Sequence, residues 1–215
     1  MIRPELAAVV LAAGFSRRMG AFKPLLPFGA TSILQQIVWT IRNAGVGTLR
    51  VVVGSNAHLV IPILDRDSVP WVMNERYAEG MYSSVQTGVQ DLPIAVAAFF
   101  LMPGDMPLVR GETLARLIAE WDERPGGILY PCHAGRRGHP PLIAGSYIPE
   151  ILREIPPGGL RTLLGRHAAK AREIPCDDPG ILQDLDTPDA YQESLRRTER
   201  GMHPSCNHRL DSMIL

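Results

Sequence analysis

Apolar residues follow two rhythms along this chain. Short apolar runs, at Ala7–Leu11, Leu49–Val53, Val69–Met73 and Val96–Met102, are strand-sized and read as strands buried on both faces. Between them the apolar positions recur every three or four residues. Ile33, Leu34, Ile37, Val38 and Ile41 share one face of a helix over Ser32–Ala44, with Ser32 as N-cap and Gly45 and Gly47 ending it. Further helices are expected at Ala57–Leu64, Ser83–Leu92 and Arg110–Trp121, the last with Leu114, Leu117, Ile118 and Trp121 in register. Strands alternating with helices imply βαβ units. The expected fold is therefore α/β, a Rossmann-like, doubly wound, mostly parallel sheet with helices on both faces.

The second half is richer in Pro and Gly. Ile128–Tyr130 and Pro141–Ala144 read as strands flanking the turn HAGRRGHP. Gly159–His167 reads as a helix, Ile181–Leu185 as a last strand and Pro188–Arg197 as a closing helix. No repeat or long linker divides the chain, so one domain over 1–197 is expected, followed by a flexible tail over 198–215 with little periodicity.

Composition narrows the function classes. With 22 basic and 22 acidic residues among 215, no global field points to nucleic acid or an anionic membrane. No apolar run approaches the roughly 20 residues of a membrane span, and the N-terminus lacks a signal-peptide pattern. Cys132, Cys176 and Cys206 form no CxxC pair and no disulfide framework, which suits a reducing cytoplasm. Neither His58, His133 and His167 nor the His203, Cys206 and His208 group offers a metal-ligand spacing, and Met81, Met102 and Met106 read as core filling.

Because the charges cancel overall, a local cluster is informative. VVLAAGFSRRMGAFKPLL, Val9–Leu26, puts Arg17, Arg18 and Lys23 in a glycine-punctuated loop directly after a buried strand. Backbone N–H groups of Ala13, Gly14 and Phe15 can line a concavity for phosphate oxygens, with Gly14 allowing close approach. Arg18 offers a planar fork and Lys23 a mobile point charge. The loop is neither a Walker A sequence nor GxGxxG, and solvated surface charge is the competing reading.

The whole string Leu11–Lys23, L-A-A-G-x-S-x-R-M-G-x-x-K, resembles the signature of the nucleotidyltransferases related to molybdenum cofactor biosynthesis, and among them the molybdenum cofactor cytidylyltransferases. Matches follow in order at NERYAEGMYSSVQTGV (Asn74–Val89), MPGDMPLV (Met102–Val109), GRRGHPPLI (Gly135–Ile143) and LQDLDTPDAY (Leu182–Tyr191). The resemblance covers nearly the whole chain to about Leu195. It implies the nucleotide-diphospho-sugar transferase type of fold and transfer of a nucleotidyl group from an NTP to a phosphorylated acceptor, with release of pyrophosphate. The guanylyl branch usually reads L-A-G-G and has Asp before the lysine. This chain has L-A-A-G and Phe22, together with EGMYSS and GHP, so it looks like the cytidylyl branch, with CTP as donor and a molybdopterin-type cofactor as acceptor.

Such a reaction brings two anions together and depends on positioning and charge neutralisation. The resemblance assigns Arg18 and Lys23 to the departing pyrophosphate. Nucleotide contacts would come from Leu11, Ala12, Ala13, Gly14, Ser16, Arg18, Lys23, Gly80, Met81, Ser83 and Ser84. Asp105 and Asp186 would hold Mg²⁺, or Mn²⁺ in its place, and Asp105 would share in catalysis. Helix capping is the competing role for each carboxylate, as it is for Ser83. Asp184 competes with Asp186, since strand alternation would put both on one face. Asn74 is expected to brace the Gly80–Ser84 loop. Arg137, His139 and Pro140 would meet the acceptor, unless HAGRRGHPP is only a surface turn. The resemblance further implies transient contact with a molybdenum hydroxylase or its chaperone. GTP as donor, another small phosphorylated acceptor, or a non-catalytic carrier that inserts the cofactor remain open.

Overall fold

The computed structural model describes residues 2–15 and 22–199. Its centre is an eight-stranded sheet. In chain order the strands are β1 (Arg3–Ala12), β4 (Val46–Val53), β5 (Trp71–Met73), β6 (Ala98–Pro103), β7 (Ile128–His133), β8 (Arg136–Arg137), β9 (Leu142–Ala144) and β10 (Ala171–Pro175). The spatial order is β10-β7-β9-β6-β1-β4-β5, with β8 paired to β7. A separate two-stranded ribbon joins β2 (Pro27–Phe28) to β3 (Thr31–Ser32). Within the large sheet β1 pairs in parallel with β4 and β6, β4 with β5, and β7 with β10, whereas β9 runs antiparallel to both its neighbours. The expected mostly parallel α/β sheet is thus observed, with antiparallel β9 closing the gap between two parallel blocks and the short β8 antiparallel to β7.

Leu6–Val10 of β1 are fully buried, which is why this strand reads as an uninterrupted apolar run. The chain leaves β1 toward β4 and β5 and then returns to β6 on the other side. The crevice above β1 and β6 is therefore a topological switch point, where open α/β sheets bind ligands.

Seven α-helices are described: α1 (Ile33–Asn43), α2 (Ala57–Arg66), α3 (Met81–Gln90), α4 (Gly111–Glu123), α5 (Ile148–Arg153), α6 (Gly159–Arg166) and α7 (Pro188–Glu199). Ser32 caps α1 as expected: its hydroxyl accepts from Gln35 N while Gln35 Oε1 accepts from Ser32 N. α1 packs against α4, and α3 against α5. α3 lies so close on the sheet that a Cβ on Gly88 would come within 2.3 Å of Val9 Cγ1 and 2.8 Å of Val52 Cγ2. That contact aims the N-terminus of α3 at the end of β1.

Several short elements were not expected, among them the β2–β3 ribbon, β8 within the expected turn, α5 and β10. The polar, charged run AREIP of β10 carries little apolar signal, because an edge strand needs only one buried side chain, here Ile174. The strand expected at Ile181–Leu185 does not form. Pro179–Leu182 is a 3₁₀ turn and the chain beyond it is irregular. Pro179 and Gly180 break the extended pattern, and the backbone pairs with loops instead: His139 N donates to Ile181 O at 2.9 Å and Leu185 N to Asp105 O at 3.0 Å. The alternation argument placing Asp184 and Asp186 on one strand face therefore falls. No helix of the described residues is long and apolar enough to cross a membrane. From residue 200 onward the expected tail, with His203, Cys206 and His208, lies outside the described residues.

Candidate active site

β1 ends beneath an open cleft of about 340 Å³. One wall is Leu11, Ala12, Ala13, Gly14 and Phe15, continuing to Lys23 and Pro24. The opposite wall is Tyr77, Ala78, Gly80, Met81 and Ser84, and Pro103, Gly104 and Asp105 form the floor. Ser16 and Arg18 belong to the expected site but lie outside the described residues, as does Arg17.

The sequence forces this shape at two glycines. Leu11 lies opposite Pro103 in the sheet, and Gly104 N donates to Leu11 O at 3.0 Å. A Cβ on Gly104 would sit 2.5 Å from Leu11 O, so the chain can cross the end of β1 and present Asp105 only with glycine here. Gly80, with φ +109, is the N-cap of α3 and occupies a backbone region that L side chains rarely adopt. Gly80, Met81 and Ser84 line the cleft, so the N-terminus of α3 lies at its wall, a position suited to anions. Among the described residues, a Cβ on Gly14 would meet no atom within 4 Å.

Asn74 is buried and supports the second wall as expected. Its Nδ2 donates to Ser83 Oγ and Ser84 Oγ, each at 2.9 Å, and its Oδ1 accepts from Arg76 N at 2.9 Å and Thr87 Oγ1 at 3.3 Å. Ser83 departs from expectation. Its hydroxyl is spent on Gly80 O and Arg76 O, each at 2.8 Å, and it is absent from the cleft lining. It is a brace within α3, neither its cap nor part of the cavity wall. Met102 and Met106 are core residues, whereas Met81 is 68% exposed on the rim. Phe15 and Tyr77 form an edge-to-face pair across the mouth, centroids 5.4 Å apart, which reading of the sequence did not single out.

Lys23 is the electrostatic centre. Its side chain is 10% exposed, and Nζ lies 3.3 Å from Asp105 Oδ2 and in close contact with Asp186 Oδ1. Two carboxylates that are 81 positions apart in the chain thus converge on one ammonium. Neither is a helix cap. α4 begins after Arg110, where Asp178 Oδ2 accepts from Arg110 N, and at α7 the Thr187 hydroxyl accepts from Ala190 N at 3.2 Å. Asp184 stands close by. Partial desolvation raises its pKa, Asp186 and Asp105 add to the rise, and Lys23 opposes it. His139 shares this field: desolvation lowers its pKa while Asp105 and Asp184 pull it up. Arg137 does not join them. Its Nε donates to Glu173 Oε1 at 2.7 Å and its guanidinium lies 4.9 Å from the Tyr130 ring centroid. Of the expected acceptor residues, only His139 lies within electrostatic reach of the carboxylates, with Pro140 buried behind it.

No group of three or more His, Cys, Asp or Glu able to hold a metal is found among the described residues. The donors present are two carboxylates already facing a cation, the Lys23 ammonium. That set fits Mg²⁺ or Mn²⁺, hard ions commonly held by one or two carboxylates with water and substrate phosphates completing the shell.

The model of the MobA-like NTP transferase domain matches residues 8–171. Molybdenum cofactor cytidylyltransferase of Escherichia coli K12 is 27% identical over 196 residues, 88% of this chain and 95% of that protein. Nicotine blue oxidoreductase of Paenarthrobacter nicotinovorans is 27% identical over 194 residues, 86% and 93% of the two chains. The Rv0371c protein of Mycobacterium tuberculosis H37Rv, solved in complex with manganese, superposes with a TM-score of 0.72 at 28% identity, over 89% of this chain and 98% of its own.

Proposed function

This chain belongs to the MobA-like NTP transferase family, and from that premise we propose that it transfers CMP from CTP to the terminal phosphate of a molybdopterin-type molybdenum cofactor, releasing pyrophosphate. The observation that carries the reading is the convergence of Asp105 and Asp186 on Lys23, beside a cleft lined by Lys23 and Asp105 themselves, by Leu11–Phe15 and by Gly80 and Met81 at the start of α3. The likeness to the E. coli cytidylyltransferase over nearly both full lengths supports the choice of donor and acceptor.

In this reading residues 1–197 are the catalytic unit, working in the cytoplasm. The Leu11–Gly14 backbone and the first turn of α3 seat the nucleotide, with Ser84 contributing its hydroxyl. Lys23 and Arg18 neutralise the charge that develops on the departing pyrophosphate. Asp105 and Asp186 hold a divalent cation, Mg²⁺ or Mn²⁺, which supplies Lewis-acid polarisation of the phosphate oxygens. The acceptor phosphate approaches from the His139 side, and its in-line attack breaks the bond between the α-phosphorus and the bridging oxygen. A phosphate monoester is largely deprotonated near neutral pH, so the step needs no general base.

The test is ³¹P NMR of the protein with Mg²⁺, each of the four NTPs in turn, and molybdenum-loaded pterin cofactor. Pyrophosphate with CTP alone, and only when the acceptor is present, is the expected result. Pyrophosphate with GTP moves the chain to the guanylyl branch. The equal likeness to nicotine blue oxidoreductase favours one other reading, a redox enzyme on the same scaffold, for which no pyrophosphate would form.

A further inference from the structure

Asp186 arrives at the site on a segment that belongs to no strand or α-helix, yet it must hold a fixed separation from Asp105. The segment is fastened at three points. Leu185 N donates to Asp105 O at 3.0 Å, joining the two carboxylate-bearing stretches directly, and Ile181 O accepts from His139 N at 2.9 Å. The third point is Asp178, a carboxylate that the proposed chemistry does not use. It is 2% exposed. Oδ2 accepts from Thr113 Oγ1 at 2.6 Å and from Arg110 N at 2.9 Å, Oδ1 accepts from Gly180 N at 2.9 Å, and Arg110 Nε stands 3.9 Å away as its counter-charge.

Both oxygens are therefore engaged, one with the start of α4 and the other with the turn leading to Asp186. α4 follows directly from the loop that carries Asp105. Gly180 presses against that same loop: a Cβ there would lie 2.2 Å from Leu108 O. The two halves of the carboxylate pair thus share one buried anchor. A buried carboxylate persists only when it is hydrogen-bonded and paired, and a staple between these two segments accounts for its retention here.

We propose that Asp178 is a positioning residue for the divalent-cation site: by tying the Pro179–Leu182 turn to the α4 start, it sets the distance of Asp186 from Asp105. This rests on the reading of those two carboxylates as the pair that holds the cation. Partners that orient metal ligands typically contribute about 10- to 100-fold in metal affinity.

The test is a Mn²⁺ titration of the full chain followed by EPR, with CTP affinity measured separately in EDTA. Asp178→Asn places an amide N–H₂ among N–H and O–H donors. It is expected to weaken Mn²⁺ about 10- to 100-fold while metal-free CTP binding stays within about twofold. Thr113→Val removes only the 2.6 Å bond and is expected to weaken Mn²⁺ by about threefold or more, and Thr113→Ser, which keeps the hydroxyl, to restore it. The Thr113 pair decides the matter if Asp178→Asn does not fold. Ile118→Val, on the buried face of the same helix, controls for general destabilisation and is expected to keep wild-type Mn²⁺ affinity. Unchanged Mn²⁺ affinity in folded Asp178 and Thr113 variants overturns the proposal. A folded wild-type chain that binds CTP but no Mn²⁺ overturns the reading beneath it as well, and that result is seen before any substitution is made.

Discussion

The candidate site joins two regions built on different principles. Asp105 stands two residues beyond the end of β6, a strand paired with β1 and β9, whose Ala98–Phe100 are fully buried. Asp186 rides on an irregular stretch held by single hydrogen bonds to loops and by one buried carboxylate. The first owes its position to sheet register, repeated over many residues. The second owes it to a few contacts that each act alone. Sheet register resists any single substitution, so the carboxylate on the irregular segment should be the more sensitive to changes in its surroundings.

The largest expected effect is loss of the carboxylates themselves. Asp105→Asn should lower kcat by about 10²- to 10³-fold, the scale on which removal of one preorganised electrostatic contact acts. Asp186→Asn should cost less, because Asp184 stands in the same field and can substitute in part. The double variant of Asp184 and Asp186 should then match Asp105→Asn. Steady-state pyrophosphate release compares all three, and an Asp186→Asn loss larger than that of Asp105→Asn would reverse the ranking of the two regions.

Next come the two glycines on which the regions rest. Alanine at Gly104 would place Cβ 2.5 Å from Leu11 O, and at Gly180 2.2 Å from Leu108 O. Overpacking of this kind costs about 1–3 kcal/mol. The location of the damage should differ. Gly104→Ala should speed hydrogen exchange along β1 and lower the midpoint of thermal unfolding. Gly180→Ala should loosen 178–186 locally and leave β1 exchange near wild type. Equal β1 exchange in both variants would mean that the irregular segment is an integral part of the core.

This contrast also explains what could be read from the sequence. β1 and β6 stand out as apolar runs, β4 as one interrupted by Arg50, and α1 as a 3.6-residue pattern with its cap, because burial on the sheet imposes those patterns. ILQDL has the same look, with Ile181 and Leu185 buried, but here the apolar residues plug loops and have no strand to join. Period-two patterning reports burial on alternate sides; it does not report a hydrogen-bonded neighbour. Asp178 left no trace for a related reason, since DDPG reads as an ordinary turn, which the Gly180 N bond satisfies, while its partners at the start of α4 lie 65 and 68 positions away. Ser83 and Ser84 are adjacent and chemically alike, so only side-chain direction separates brace from cavity wall.

That pair gives a smaller effect. Asn74→Ala removes two donated bonds in a buried setting, at a cost of about 1–3 kcal/mol. Ser83→Ala should lower stability and leave KM for the nucleotide unchanged. Ser84→Ala should raise KM by about tenfold, the equivalent of roughly 1.4 kcal/mol. A raised KM in Ser83→Ala at wild-type stability would return that hydroxyl to the cleft.

The smallest effect lies away from both regions and tests whether the others are local. Asp67 closes α2 and accepts from Arg66 Nε at 2.8 Å and Gln35 Nε2 at 2.7 Å. The Arg66 bond, with help from Gln35 and Arg42 and against some desolvation, holds its pKa below the usual carboxylate range. A depressed folded pKa means the stabilisation is fully present above the unfolded value of about 3.9. It is lost as pH falls through the lower folded value. The contribution should be about 0.2–1 kcal/mol for such a partly exposed pair. Asp67→Asn should flatten the fall of unfolding free energy below about pH 4, measured by urea denaturation across pH, and leave pyrophosphate release unchanged near neutral pH. Should Asp67→Asn also lower pyrophosphate release, stability lost anywhere would reach the cleft, and the different sensitivities assigned to β6 and the Asp186 segment would reflect global softening rather than how each carboxylate is held.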